Sequence, residues 1–537
     1  MLREQTNKPW NERGKLMNRF CYFTLGLLAV CICLLSGGCS NQIPEKNTET
    51  RDATVELTAL QYELENQAVD FSDLWFYDQL EEKTGVHVEF EAVRDADWEM
   101  RERLMFASGS YKDMILRGSL DTEEYGVNHQ MLIPLDEYMD EYMPVYSERM
   151  HESGLDGKML SSDGKMYSIG FLLSQNVSVN GHFFLNRAWM DKLGLETPKT
   201  VSELTDVLRA FRDGDPNGNG LQDEIPYEAT LDDCNTGMYN AFNFWGIPMN
   251  EEFVFADEKG TVSFAPYQNG FRETLEWLHL LVSEKLLDPE SLTQGSTLWG
   301  TRVNQNTAGF FSYWRLSNTA LNKEITDQFE CVLPVHADGY SARMSRLIDT
   351  VEFGAALTSQ NHDIPASLRW LDAQMETETM LVSQNGPAGE YLVREDSGKY
   401  KVIKVPEDNE LYQMVPVIVG QFFAPDEYYR TIYEPAPHRL EKTGYCDFYE
   451  KAGVIEPVSF KELTVNARTT SEESIRIAQL HKKLKTVVDY FIVDSVVNGV
   501  TDSSYVTFRN NLKEAGADEY IALYQTVYSR YLEQLGR

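Results

Sequence analysis

The sequence predicts an α/β protein. Three observations indicate this class: strand and helix patterns alternate along the first part of the chain, several strands are short and apolar enough for the inside of a layered sheet, and no repeat of about 20–50 residues is present. The chain has 537 residues. Because ordinary domains have roughly 100–200 residues, this length predicts two or three of them.

The alternation can be followed element by element. Residues 55–60 predict a strand, 72–83 a helix, 86–90 a strand, 97–107 a helix and 113–116 a short buried strand. This order predicts parallel βαβ units in a three-layer domain, because the crossover helices cover the sheet. Later patterns predict helices at 200–212, 271–283 and 365–376, a strand at 309–312, and two long helical stretches at 473–498 and 502–536.

The charge of the chain excludes several classes of protein. The formal net charge is −36. A nucleic-acid binder needs a basic surface, and so does a protein that adheres to an anionic membrane through a polybasic face. An acidic balance suits neutral or cationic ligands.

The N-terminus predicts export and lipidation. A basic start is followed by an uncharged run, residues 20–35, and then by Ser36-Gly37-Gly38-Cys39. This order is typical of a secretory signal, although a short anchoring helix is an alternative and Met17 is a second candidate start. The end of the run resembles the lipobox of bacterial lipoproteins. The resemblance implies a signal peptide at 1–38, acylation of Cys39 and a polar tether at 39–53.

Residues 213–224 carry a candidate calcium loop. Oxygen-bearing side chains alternate with Gly or Pro, and no soft ligand is present, so the pattern favours Ca²⁺ over zinc or copper. Two registers are open, one starting at Asp213 and one at Asp215. The register that starts at Asp215 is preferred, and its ligands for a structural Ca²⁺ are Asp215, Asn217, Asn219, the Leu221 carbonyl, Asp223 and Glu224. The alternative to a calcium loop is an Asn/Gly turn that binds nothing.

Several segments in a fixed order resemble one family. They are Glu81–Val88, Ala107–Ile115, Leu132–Asp136, Asp163–Tyr167 and Asn186–Leu195, the last leading into the calcium loop. Together they resemble the extracellular solute-binding lipoproteins of ABC importers, in the large sugar-binding branch related to maltose-binding protein.

The resemblance implies a two-lobed periplasmic-binding-protein-like clamp with a central cleft and two or three hinge crossings. Residues 54–180 and about 335–400 would form lobe 1, and residues 181–334 and about 401–537 lobe 2. The implied function is capture of a sugar or oligosaccharide at the outer face of a bacterial membrane. The ligand then passes to permease subunits. The protein would be a lipid-anchored monomer and not an enzyme.

Aromatic residues are the candidates for the sugar site, because the C–H face of a pyranose stacks on Trp or Tyr. Trp314 follows the predicted strand at 309–312, and Arg315 is a hydrogen-bond donor beside it. Trp245 and Tyr391 are further candidates, and for each aromatic residue a core position is the alternative.

Two other functions stay open. One is a binding protein for a peptide or another solute, or one that serves a surface sensor. The other is a secreted glycoside hydrolase, which needs two carboxylates roughly 5–10 Å apart. Since the chain has 84 acidic residues, composition alone does not favour a hydrolase.

Overall fold

The structure is a computed structural model, and all of the residues it describes belong to one unit that spans Asp52–Arg537. It describes residues 54–63, 71, 74–152, 159–161, 163–173, 179, 181–231, 233, 235–317, 321–348, 350–404, 433–434, 437–467, 469–534 and 536. The predicted signal peptide, Cys39 and the tether lie outside the described residues.

Fourteen strands are assigned within the described residues. They are β1 (Val55–Glu63), β2 (Val86–Arg94), β3 (Met114–Leu116), β4 (Ile169–Leu173), β5 (His182–Asn186), β6 (Ile225–Tyr227), β7 (Val254–Ala256), β8 (Val262–Phe264), β9 (Ala308–Tyr313), β10 (Phe329–Val332), β11 (Thr350–Leu357), β12 (Leu392–Arg394), β13 (Tyr400–Val402) and β14 (Tyr433–Glu434).

The α-helices of the same part of the chain are α1 (Trp75–Thr84), α2 (Asp95–Ser108), α3 (Met139–Tyr142), α4 (Pro144–Glu152), α5 (Arg187–Leu193), α6 (Val201–Gly214), α7 (Asn269–Ser283), α8 (Ser296–Asn304), α9 (Lys323–Thr326), α10 (Ile364–Ala373), α11 (Thr377–Asn385), α12 (Pro437–Ala452), α13 (Ser471–Asn498), α14 (Asp502–Ala515) and α15 (Ala517–Gln534). None of the helices within the described residues is both long enough and apolar enough to cross a membrane.

The first lobe is built on a five-stranded sheet of order β2-β1-β3-β11-β4. β1 pairs in parallel with β2 and with β3, as the βαβ pattern predicts, whereas β11 is antiparallel to both of its neighbours. Alternating side chains are buried on both faces: Leu57 and Ala59 pack on one side, and Leu60 and Ile115 on the other. The second of these cores also contains Trp98 of α2.

The second lobe is built on a four-stranded sheet of order β10-β5-β9-β6. β5 is antiparallel to both neighbours, and β6 is parallel to β9. The stacked rings of Phe183 and Phe310, with centroids 5.7 Å apart, lie in its core. The C-terminal helices complete this core, and the Tyr449 hydroxyl accepts from the Phe183 amide and donates to the Val332 carbonyl.

The chain passes between the lobes three times. It leaves the first sheet after β4, builds the second sheet from β5 to β10, and returns to insert β11 into the first sheet. After α10, α11 and β13, which belong to the first lobe, the helices from α12 onward pack in the second lobe. The α/β class and the two to three crossings are therefore confirmed.

One element differs from its prediction. Residues 502–536 predict one long helical stretch, but the chain forms two helices, α14 and α15, with a break at Gly516. Gly516 has a φ of 100°, and a Cβ there would lie 2.5 Å from the Leu480 side chain. A glycine at this position lets the backbone turn and lets α13 approach closely, since it needs neither a negative φ nor space for a side chain.

Candidate functional site

A groove of about 1370 Å³ lies between the two lobes. The first lobe contributes the end of β1, the exposed side of α2, the loop after β3 and the start of β11. The second contributes Thr469 and the first turn of α13. The lining residues are Tyr62, Trp98, Glu99, Glu102, Arg103, Arg117, Gly118, Ser119, Leu120, Asp121, Thr122, Glu123, Glu124, Tyr125, Asn128, Glu352, Thr469, Thr470, Ser474 and Ile475.

The loop after β3 is shaped to receive the Trp98 ring. Arg117 and Gly118 have φ values of 62° and 75°, and a Cβ at Gly118 would lie 2.4 Å from the ring. The Trp98 indole N–H donates to the Ser119 carbonyl at 2.9 Å, and the Tyr62 ring meets the indole edge-on. Glycine at 118 is thus required for this wall, because any side chain would push the loop away from the indole.

A second aromatic group forms another part of the wall. The Tyr125 ring stacks on Phe106 with centroids 3.9 Å apart, and its hydroxyl is hydrogen-bonded to Glu102. Tyr62 and Tyr125 are both half-buried. Half-buried tyrosines beside carboxylates offer an apolar ring face and hydrogen-bond acceptors together, which is an arrangement that can bind a polyhydroxylated molecule.

The most perturbed carboxyl of the groove is Glu102, which is 6% exposed. Burial raises its pKa to about 7, although the hydrogen bond from Tyr125 and the charge of Arg103 act in the opposite direction. Burial also lowers the pKa of Arg117 to about 10, against the charge of Glu352. At neutral pH the Glu102 side chain therefore exchanges readily between a hydrogen-bond donor and a charged acceptor.

The opposite wall is the beginning of α13. Thr470 caps this helix: its hydroxyl accepts from the Glu473 amide at 3.2 Å, and the Glu473 carboxylate accepts from the Thr470 amide at 2.8 Å. Arg530 of α15 holds the same carboxylate at 2.7 Å. Ile475, one turn further, is 57% exposed and faces the groove. The start of α13 is thus held to α15 of the second lobe through the Arg530–Glu473 pair.

The predicted calcium loop follows α6. Asp215 has a φ of 46°, and its carboxylate accepts from the amides of Gly218 and Gly220 at 3.0 and 3.2 Å. The side-chain amides of Asn217 and Asn219 each donate to the Asp223 carboxylate at 3.1 Å. The loop is therefore curled so that its alternate oxygen-bearing side chains approach one another.

Two buried oxygens beside this loop have no hydrogen-bond partner. They are Oε1 of Glu224 and Oδ1 of Asn306, whose own carbonyl accepts from Asn217 at 3.4 Å. Burial, with the charges of Asp223 and Asp215, raises the pKa of Glu224. The donor set is all oxygen, so these residues fit a hard cation. No group of three or more His, Cys, Asp or Glu within the described residues is arranged to hold a metal ion, so amide and carbonyl oxygens would have to complete the set.

The first two residues predicted to bind a sugar, one by stacking and one by hydrogen bonding, lie outside this groove. Trp314 and Arg315 are half-buried neighbours just after β9, and the Arg315 guanidinium lies 4.7 Å from the centre of the Trp314 ring. The Lys442 ammonium is 5.3 Å from the same ring. Neither Trp314 nor Arg315 is among the described residues that line the groove. Their role in binding stays a prediction.

Trp245 and Tyr391 occupy packed positions. Trp245 is 6% exposed, and its ring contacts Trp277 with centroids 5.7 Å apart. Tyr391 is 4% exposed, and its hydroxyl accepts from the Lys404 ammonium at 2.8 Å. In this conformation both rings lie in the core, while the groove aromatics Tyr62, Trp98 and Tyr125 were missed by the sequence analysis.

A comparison with protein families shows which proteins the chain is similar to. Residues 55–274 match the family described as bacterial extracellular solute-binding protein. Over these residues, which make up less than half of the chain, the protein is similar to this family. A curated relative is the fructooligosaccharide ABC transporter substrate-binding protein FusA of Streptococcus pneumoniae, which is 25% identical over 478 residues, 84% of this chain and 86% of FusA. The polygalacturonan/rhamnogalacturonan-binding protein YtcQ of Bacillus subtilis is 24% identical over 43% of this chain and 45% of YtcQ.

Solved structures of such proteins share the fold of this chain. FusA in complex with kestose superposes with a TM-score of 0.78 at 21% identity, covering 89% of this chain and 100% of FusA. An extracellular solute-binding protein from Bifidobacterium longum subsp. infantis gives a TM-score of 0.77 at 21% identity, covering 89% and 98% of the two chains. A FusA structure described as an EF-hand mutant in complex with fructo-nystose gives 0.76 at 21% identity, with 89% of this chain and 100% of FusA covered. The two-lobed clamp is therefore confirmed.

Proposed function

We propose that this solute-binding protein captures an oligosaccharide between its lobes and delivers it, unchanged, to the permease of an ABC importer. The observation that carries the proposal is the groove, with its half-buried tyrosines, its carboxylates and its position between two lobes. Its volume of about 1370 Å³ exceeds the roughly 300–1,000 Å³ of pockets for drug-sized ligands, which suits a chain of sugar rings. The sugar ligands of FusA support the same class of solute.

Binding would proceed by closure of the clamp. We assign residues 54–180 and about 335–400 to lobe 1, and residues 181–334 and about 401–537 to lobe 2. The membership of the two sheets supports this division, because β1–β4 and β11 form one sheet and β5, β6, β9 and β10 the other. Hinge bending at the three crossings would bring the capped end of α13 toward Tyr62 and Trp98.

The protein would work as a monomer on the extracellular face of the membrane. Acylation at Cys39 would hold it there, with residues 40–53 as a tether. The test is mass spectrometry of the mature protein from the native membrane. A lipid-modified N-terminal Cys39 is expected, whereas an unmodified N-terminus, or retention of residues 1–38, would contradict the anchor.

The loop from Asp215 to Glu224 would hold a structural Ca²⁺ remote from the sugar. Its ligands would be Asp215, Asn217, Asn219, the Leu221 carbonyl, Asp223 and Glu224. Three observations support this calcium site. The Glu224 Oε1 atom is buried without a hydrogen-bond partner, all of the donor atoms are oxygens, and a solved structure of FusA is described as an EF-hand mutant. When bound, the ion neutralises the clustered carboxylates, and the loop residues orient the end of α6.

The function is tested by titrating the purified mature protein with a library of oligosaccharides and following tryptophan fluorescence and heat. At least one oligosaccharide should bind with a Kd at or below the micromolar range and should be recovered intact. Tyr62→Ala should weaken that binding, whereas Tyr490→Ala, which removes a 73% exposed ring on α13, should not. Failure of every oligosaccharide to bind, together with binding of a peptide or another solute, would contradict the proposal.

A glycoside hydrolase is the second candidate, and one observation favours it. A carboxyl with a pKa of about 7 in a groove, as at Glu102, has the protonation of a general acid, and Asp121 is a nearby carboxylate. Turnover of a bound oligosaccharide that follows the protein through purification, and that Glu102→Gln abolishes, would establish the hydrolase. Recovery of intact ligand after prolonged incubation would exclude it.

A further inference from the structure

The charged residues of the groove are unevenly divided. Two guanidinium groups, those of Arg103 and Arg117, line it. Six carboxyl groups accompany them, those of Glu99, Glu102, Asp121, Glu123, Glu124 and Glu352. Among the described lining residues the acidic side is therefore in clear excess.

An acidic side chain acts on each of these positive charges. Arg103 forms an ion pair with Glu99, one turn earlier on α2. The charge of Glu352 acts on Arg117, whose side chain is largely buried. A carboxylate entering the groove would have to compete with these partners for either guanidinium group.

The remaining carboxyl groups face a solute from the same wall. Glu102 is buried beneath Tyr125, and Asp121, Glu123 and Glu124 follow one another on the loop and π-helical turn beside it. Glu124 also contacts the exposed His129 at 2.9 Å. Carboxylates accept hydrogen bonds from sugar hydroxyls, but they repel a second carboxylate, more strongly as water leaves the closing cleft.

We propose that this groove selects oligosaccharides without carboxylate groups and excludes chains of uronic acids. The inference rests on the proposed function and narrows its substrate class. It also separates the two kinds of ligand named for the relatives, fructooligosaccharide for FusA and polygalacturonan for YtcQ. Hydroxyl groups of an uncharged sugar would donate to the acidic wall while a ring face lies on Tyr62 or Tyr125.

The test compares two kinds of probe on the mature protein by calorimetric titration. One is a panel of uncharged oligosaccharides that includes kestose and nystose, and the other is trigalacturonate. The best uncharged probe should bind at least about 100-fold more tightly than trigalacturonate, because close like charges in an interface cost several kcal/mol. Raising NaCl from about 0.05 to 0.5 M should strengthen trigalacturonate binding and leave the uncharged probe unchanged, since salt screens the repulsion.

Variants locate the source of the selectivity. The double variant Glu102→Gln with Asp121→Asn should narrow the affinity ratio by about tenfold, whereas Glu514→Gln, which removes an exposed carboxylate on α14, should not change it. If trigalacturonate binds as tightly as the best uncharged probe, the inference is wrong, but the proposed sugar-binding function is still supported. If none of the probes, charged or uncharged, binds, the proposed function fails and this inference fails with it.

Discussion

Replacement of Glu102 by Gln should stabilise the protein, and more so at alkaline than at acidic pH. The side chain is 6% exposed and is hydrogen-bonded to Tyr125. Glutamine has the same shape, keeps an oxygen that can accept from the tyrosine hydroxyl, and cannot ionise. The change therefore removes a buried charge while the hydrogen bond and the packing are preserved.

The magnitude follows from the pKa. Burial raises it from 4.5 to about 7. Between these values the folded protein holds a proton that the unfolded chain has released, so the free energy of unfolding falls as pH rises through this window. At about 1.36 kcal/mol per pH unit, a difference of about 2.5 units sets a ceiling of about 3 kcal/mol. Because the carboxyl borders the water of the groove, about 1–2 kcal/mol is expected.

Urea unfolding of the parent and of Glu102→Gln at pH 5 and pH 8 measures this effect. The advantage of the variant should grow by about 1–2 kcal/mol between the two pH values. Glu82→Gln, an exposed position on α1, serves as the matched control and should show no such growth. An advantage that is equal at both pH values would refute the assignment of the raised pKa to this residue.

Three further predictions concern the loop, the groove wall and the ligand. A chelator should lower the melting temperature of the parent and of Asp213→Ala but not of Asp223→Ala. At a Ca²⁺ concentration of 100 times the Kd, a bound ion adds about 2.7 kcal/mol to the free energy of unfolding. An unchanged melting temperature of the parent would contradict the calcium assignment. Gly118→Ala should lower the free energy of unfolding in urea by about 1–2 kcal/mol and weaken oligosaccharide binding, since φ at this position is 75° and the new Cβ would meet the Trp98 indole. A variant as stable as the parent would contradict the close approach of the loop to the indole. Tyr62→Ala should weaken binding about tenfold in calorimetry, whereas Trp314→Ala will do so only if the ligand reaches that ring; tight binding by Tyr62→Ala would place the ligand elsewhere.

Much of the architecture could be predicted from local patterns. The strand at 86–90 and the helix at 473–498 are found as β2 and α13, because alternation and helical periodicity act over a few residues. The break at Gly516 was not predicted, since it depends on the approach of Leu480 from another helix. The insertion of β11 into the first sheet is also a long-range event, and no pattern within the strand specifies its neighbours.

The groove residues were missed because the aromatic candidates were judged by their local context. A rule of sheet topology would have found them. In α/β sheets, ligands bind outside the carboxyl ends of parallel strands, where adjacent connections diverge. Tyr62 lies at the carboxyl end of β1, Trp98 follows the end of β2 by one helical turn, and Arg117 comes directly after β3.

These three strands are adjacent and parallel, in the order β2-β1-β3, so their carboxyl ends meet at one edge of the sheet. All three strands were predicted from the sequence, and their parallel pairing follows from the βαβ order. Trp314 is separated from them because it follows β9, which belongs to the second sheet. The predicted strands and their parallel order were therefore sufficient to locate the groove. The missing step was to ask which side chains converge at the carboxyl edge of the sheet.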